Sequence, residues 1–152
     1  MSKPLGKEFS LLTKYYIGIV SQKLADMEIE RYFYALVVIN ESENVMCQKD
    51  LAESIGADNV SMVRIIDYLS DKGFIQRVQN KSDRRAYHLK LTEKAQKALP
   101  KIKMAFEEAN EICFKGFKKT EKEEFQRMLL MIKDNVQNHP RVEVKLNFKK
   151  IN

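Results

Sequence analysis

The hydrophobic period of the chain changes twice, and nothing else constrains its fold as much. Apolar residues recur at helical spacing up to about residue 72, alternate in two short runs over 74–79 and 87–91, and return to helical spacing from 92 to about 138. Side chains three or four residues apart share a helix face, while side chains two apart share a strand face. The chain is therefore mainly α with one small β-hairpin.

The helical part divides further. Leu5, Phe9, Leu12, Tyr16, Ile19 and Val20 predict a first helix over 5–26, and Phe33, Leu36 and Val37 a second over 29–43. Leu51, Ala52 and Ile55 share a face of a short third helix over 48–55, which Gly56 ends as a C-cap. A fourth follows over 59–72 and stops at Gly73. Thr92 is a good N-cap for a long fifth helix with the stripe Ala95, Leu99, Ile102, Phe106, Ala109, Ile112 and Cys113. Pro100 lies inside it and predicts a bend rather than a stop. Thr120 and Glu123 have capping-box spacing for a sixth helix carrying Phe125, Met128, Leu129, Ile132 and Val136. The tail after Pro140 alternates Val142, Val144, Leu146 and Phe148, as a strand or an extended arm would.

Two helices, a short helix, another helix, a hairpin and two more helices is the order of a winged helix-turn-helix with N- and C-terminal dimerisation helices. The head covers residues 30–91, the dimerisation helices 5–26 and 92–138, and the tail 139–152. A head of this size cannot cover the apolar stripes of the terminal helices, so they are expected to pack against a second copy.

In a helix-turn-helix the second short helix enters the major groove of DNA. Met62, Ile65, Ile66 and Leu69 place one face of that helix in the core. The opposite face carries Val60, Val63, Arg64 and Asp67, flanked by Asn59, Ser61 and Tyr68. Arg forks onto guanine, Asn onto adenine, and Val touches the thymine methyl. The hairpin sets Arg77, Lys81, Arg84, Arg85 and Lys90 against one acid, Asp83, whose simplest role is to pair with Arg77 or Arg85 and hold the loop. An arm with Arg at its tip suits the narrow, electronegative minor groove. Gln48 and Lys49 stand where a helix N-terminus meets phosphate. The formal charge of +6 among 152 residues agrees with an acidic partner.

The run Asp83-Arg84-Arg85-Ala86-Tyr87-His88-Leu89-Lys90-Leu91-Thr92-Glu93-Lys94-Ala95 resembles the wing signature of the MarR family, the multiple-antibiotic-resistance-type regulators. Gln48-Lys49-Asp50-Leu51-Ala52 and the stretch from Arg64 through Asp67-Tyr68-Leu69 and Lys72-Gly73-Phe74 to Arg77 are similar to its helix-turn-helix. The likeness in order and spacing spans residues 5–136. It implies a bacterial or archaeal transcriptional regulator that binds a pseudo-palindromic, double-stranded DNA operator as a homodimer, usually as a repressor. Carried over by position, the recognition face falls on Asn59, Ser61, Val63 and Arg64, and the wing on Asp83, Arg84 and Arg85. The resemblance also implies effector control: many family members release DNA when a small, often phenolic ligand binds between head and dimer stem. Tyr15, Tyr16, Tyr32 and Tyr34 cluster in the first two helices and are the residues for such an aromatic effector. Two positions depart from the family pattern. Val63 stands where Thr is common, and Cys47 where Ser or Thr caps the third helix; sulfur is a poor cap.

Other functions find little support. No Ser/His/Asp or Cys/His set, phosphate-cradling glycine loop or carboxylate–histidine cluster points to an enzyme, and no cofactor is expected. His88 and His139 are far apart and away from cysteine at ligand spacing, so no metal site is expected. Two cysteines exclude a disulfide scaffold and fit a reducing compartment. Cys47, at a helix start, is the thiol with a setting for oxidation, whereas Cys113 reads as buried packing. No run approaches the ~18 apolar residues of a membrane span, and residues 1–6 hold no apolar signal core, so a cytoplasmic protein is expected. The alternative is a winged-helix protein–protein module that never touches DNA; the basic wing argues against it.

Overall fold

The computed structural model describes residues 4–29, 31–43, 45–80 and 87–140. Its elements are α1 (Leu5–Lys23), α2 (Phe33–Glu41), β1 (Met46–Cys47), α3 (Gln48–Ile55), α4 (Asn59–Asp71), β2 (Ile75–Gln79), β3 (Tyr87–Leu91), α5 (Glu93–Cys113) and α6 (Lys119–Gln137). Two units divide the chain, one through Ala109 and the other from Asn110.

In the first unit, Leu36, Ile39, Leu51, Met62, Ile66, Leu69, Leu89, Leu91 and Ile102 are fully buried. They come from α2, α3, α4, β3 and α5, so the core draws on every layer of the head. The sheet has three antiparallel strands in the order β1-β3-β2. Ile75 pairs with Leu91, Arg77 with Leu89 and Val78 with His88 in one ladder, and Met46 with Leu89 and Cys47 with His88 in the other. The sequence predicted a two-stranded hairpin. Two residues are too few to show alternation, so β1 left no periodic signal.

Thr92 ties three elements together. Its amide donates to the carbonyl of Phe74 (3.1 Å). Its hydroxyl donates to the carbonyl of Gly73 (2.7 Å) and accepts the Ala95 amide in the first turn of α5 (3.3 Å). The cap expected at Thr92 is therefore present and also anchors the turn between α4 and β2. Gly73 makes that turn at φ 74°, where a Cβ is disfavoured. Pro100 lies within the unbroken α5, as a bend rather than a stop requires.

Three ends differ from the sequence expectation. α2 begins at Phe33 rather than near residue 29, because Tyr32 adopts a left-handed backbone at φ 67°. Ile29 is buried all the same, as a loop residue. The cap of α6 lies earlier than Thr120: the Lys118 amide donates to the Glu121 carboxylate at 2.7 Å. Cys113 is exposed, since burial along the α5 stripe ends at Ala109.

In the second unit, Phe114 meets Phe117 and Phe125 edge-on, each at 5.6 Å between ring centres. Lys122 sits over the Phe114 ring at 5.8 Å. No residue of α6 is buried. No helix among the described residues is long and apolar enough to cross a membrane. The tail from Arg141 lies outside the described residues.

Candidate nucleic-acid interface

α3 and α4 meet through a tight turn. Gly56 closes α3 at φ 68°. Asp58 then caps α4: one carboxylate oxygen accepts the Val60 and Ser61 amides, each at 3.0 Å. The other accepts the Ser61 hydroxyl at 2.7 Å. A capped start holds the first turn of α4 in one orientation. Ser61 was expected on the recognition face; its hydroxyl proton is committed to the cap.

The inward face of α4 is Met62, Ile65, Ile66 and Leu69, all buried. The outward face presents Asn59, Val60, Val63 and Arg64, all exposed. Val60 is 55% and Val63 41% exposed. Val60 stands nearly opposite the centre of the buried stripe, yet family position alone did not single it out; helical phase does.

Arg77 and Asp67 form a contact that the sequence did not single out. Among the described residues Arg77 pairs with Asp67 of α4 at 2.5 Å; the pairing expected of Asp83 lies outside them. Register explains the contact with Asp67. Arg77 lies opposite the buried Leu89, hence on the sheet face turned towards the core, whereas Val78 and His88 share the other face. The bridge joins α4 to β2, the first strand of the hairpin. Lys81, Asp83, Arg84 and Arg85, the wing residues of the sequence reading, lie outside the described residues. Tyr68 is half-buried and meets the Tyr32 ring edge-on at 5.7 Å. Tyr32 in turn lies beneath the Arg31 guanidinium at 5.1 Å.

At the C-terminal end of α4, Lys94 donates to the Lys72 carbonyl (3.0 Å), pairs with Glu28 and lies over the Phe74 ring at 4.8 Å. A cation at a helix C-terminus meets the negative end of the dipole. α4 is thus held at its start by Asp58, at its middle by Arg77 and Tyr32, and at its end by Lys94.

Gln48 opens α3, and the exposed Lys49 makes a loose ion pair with Glu53 at 3.9 Å. Cys47 precedes them at the cap position. Its backbone amide donates to Asp50 at 3.3 Å. The hydrogen bond from the Cys47 side chain, followed by that from its backbone, holds the Asp50 carboxyl below the ordinary aspartate value.

The four candidate effector tyrosines separate. Tyr16 stacks on Phe106 at 6.2 Å and Tyr34 meets the same ring edge-on at 6.1 Å. Tyr32 is with Tyr68, and Tyr15 is exposed on α1. Among the described residues, no group of His, Cys, Asp or Glu is placed to hold a metal ion.

A family model described as the MarR family matches residues 31–87, which include α2, α3, α4 and β2. Solved structures are similar over most of the chain. A MarR transcriptional regulator from Methanosarcina mazei is 27% identical, with a TM-score of 0.78 over 89% of this chain and 98% of its own. A MarR-family transcriptional regulator from Listeria monocytogenes, in complex with a 26mer DNA, is 24% identical, with a TM-score of 0.83 over 94% and 100%. A MarR protein from Peptoclostridium difficile is 23% identical, with a TM-score of 0.83 over 91% and 90%.

Proposed function

We propose that the chain, matched by the MarR family model over residues 31–87, is a winged-helix transcriptional regulator of that family, a DNA-binding protein rather than an enzyme, and that it binds a pseudo-palindromic operator as a homodimer and represses transcription until a small effector releases it. The observation that carries this reading is α4. One face seals the core, while the other projects Asn59 and Arg64 into solvent from a capped helix start. Arg64 is suited to fork onto a guanine and Asn59 onto an adenine, while Gln48 and Lys49 approach phosphate. The wing-tip cations Lys81, Arg84 and Arg85 reach the minor groove, with Asp83 shaping the loop; Arg77, tied to Asp67, aligns the wing with α4. The Listeria relative in its DNA complex supports this use of the fold.

The homodimer is supported by what the single chain leaves uncovered. Leu5 and Leu12 of α1, and Phe125, Met128, Leu129 and Val136 of α6, are exposed. Two copies clasped through these helices hold two α4 helices about one DNA turn, roughly 34–36 Å, apart. The effector reading rests on the aromatic group Tyr16, Tyr34 and Phe106, with Tyr15 and Tyr32 on the same two-helix region; a ligand there acts by favouring one spacing of the heads. A cytoplasmic location fits an operator-binding protein.

Selection of bound duplexes from random DNA, followed by gel shift, tests the reading. Binding of a two-fold symmetric site that weakens steeply with salt is expected. Failure to bind any duplex at low salt overturns it.

A further inference from the structure

The outward face of α4 is unusual in what it leaves in water. Two of its polar groups are engaged: the Ser61 hydroxyl is bonded to Asp58 and the Asp67 carboxylate to Arg77. Between them stand two β-branched aliphatic side chains, Val60 and Val63, 55% and 41% exposed. They are three residues apart and so lie side by side on one face. Valine is a mediocre helix former, and neither residue serves the core, which Met62, Ile65, Ile66 and Leu69 already fill from the other side. Both lie in the first turn and a half of the helix, where side chains reach base edges. Exposed Arg64 sits beside them and supplies the charge that draws this face to DNA.

One group in the major groove matches an aliphatic side chain, the C5-methyl of thymine. We propose that Val60 and Val63 determine sequence specificity by packing on the methyl groups of two neighbouring thymines in each operator half-site, next to the guanine held by Arg64. This rests on the operator-binding reading above and adds the base chemistry it requires. Helix geometry sets the spacing: three residues advance about 4.5 Å along the axis, close to the ~3.4 Å between successive bases. The two methyls therefore belong to adjacent base pairs. Val60 contributes as much as Val63, although of the two only Val63 falls on the recognition face that the sequence resemblance implies. Where a threonine hydroxyl is common, Val63 offers only methyl groups, which shifts the preference from hydrogen-bonding edges to thymine.

Replacing thymine by deoxyuridine, one position at a time, in the selected operator removes the methyl and leaves base pairing intact. At fixed salt, the wild-type protein is expected to lose affinity about fourfold at each of two adjacent positions per half-site, the worth of one buried carbon. Val60→Ala and Val63→Ala should each abolish the effect at one of those positions, with helix content unchanged by circular dichroism. If the wild-type protein binds its operator and every deoxyuridine duplex binds equally well, the thymine proposal is overturned while operator binding stands. If no duplex binds at all, both are overturned.

Discussion

α4 and α6 carry the same kind of sequence signal and end in opposite environments. Each has an apolar stripe at helical spacing with charged residues elsewhere. In α4 the stripe is wholly buried. In α6, six residues longer, nothing is buried. A stripe specifies that a face must be covered, and leaves open what covers it. For α4 the cover is its own chain: α2, α3, the sheet and α5 contribute to one core. For α6 we propose a second copy. The comparison also separates the outward faces. That of α4 carries two valines and an arginine, whereas that of α6 carries local ion pairs such as Arg127 with Glu124 at 2.6 Å.

The comparison breaks most completely if α6 needs no partner. Leu129→Glu combined with Val136→Glu is expected to leave a folded single chain, read by light scattering. Operator affinity should fall by about a hundredfold or more, because two linked half-site contacts become one. A variant that stays dimeric at micromolar concentration would remove α6 from the interface. The opposite helix should answer differently: Ile66→Ala should cost about 2–5 kcal/mol of unfolding free energy in urea, with the residual folded protein still associating. Arg64→Ala sharpens the contrast between the two faces of α4. It should leave the urea midpoint unchanged and weaken operator binding by about 1–3 kcal/mol, with relaxed preference at one base pair.

Asp67→Asn is a smaller test. The Asp67–Arg77 pair is half-exposed, so its loss should change stability by less than about 1 kcal/mol. Affinity should drop several-fold more than that stability change implies if the pair aligns wing and helix; an unchanged operator titration would make it a surface ion pair only. Smallest is the acid response. Hydrogen bonds from Lys101 and Lys94 hold Asp26 and Glu28, respectively, below their ordinary values. Their contribution is complete above the unfolded values, near about pH 4 to 4.5, and is lost as pH falls through the lower folded ones. The melting temperature should hold from pH 7 to about pH 5 and fall below about pH 4, less steeply in Lys94→Met/Lys101→Met.

Much of the site could be read in advance. The stop at Gly56, the buried stripe of α4 and the Thr92 cap are local properties, written in residue types at fixed offsets. Other features depended on segments distant in sequence. β1 exists because two residues before α3 pair with β3, and a two-residue strand has no period to detect. The late start of α2 follows from the left-handed Tyr32, which packs on Tyr68 thirty-six positions away. That Arg77 meets Asp67 could not be read from charges alone: strand register turned the side chain towards α4. The tyrosines looked like one cluster because they are close along the chain, yet only Tyr16 and Tyr34 share a ring, Phe106 of α5.

Periodicity, caps and glycines were enough to specify the helices, the wing strands and the face of α4 that turns away from the core, because each arises from backbone sterics and from neighbours within about one turn. Folding decided the pairings: which acid meets Arg77, which ring meets Tyr32, and which of two similar stripes finds its cover inside the chain. Those outcomes depend on which distant surfaces come within a few ångströms, and a linear pattern carries no such distances.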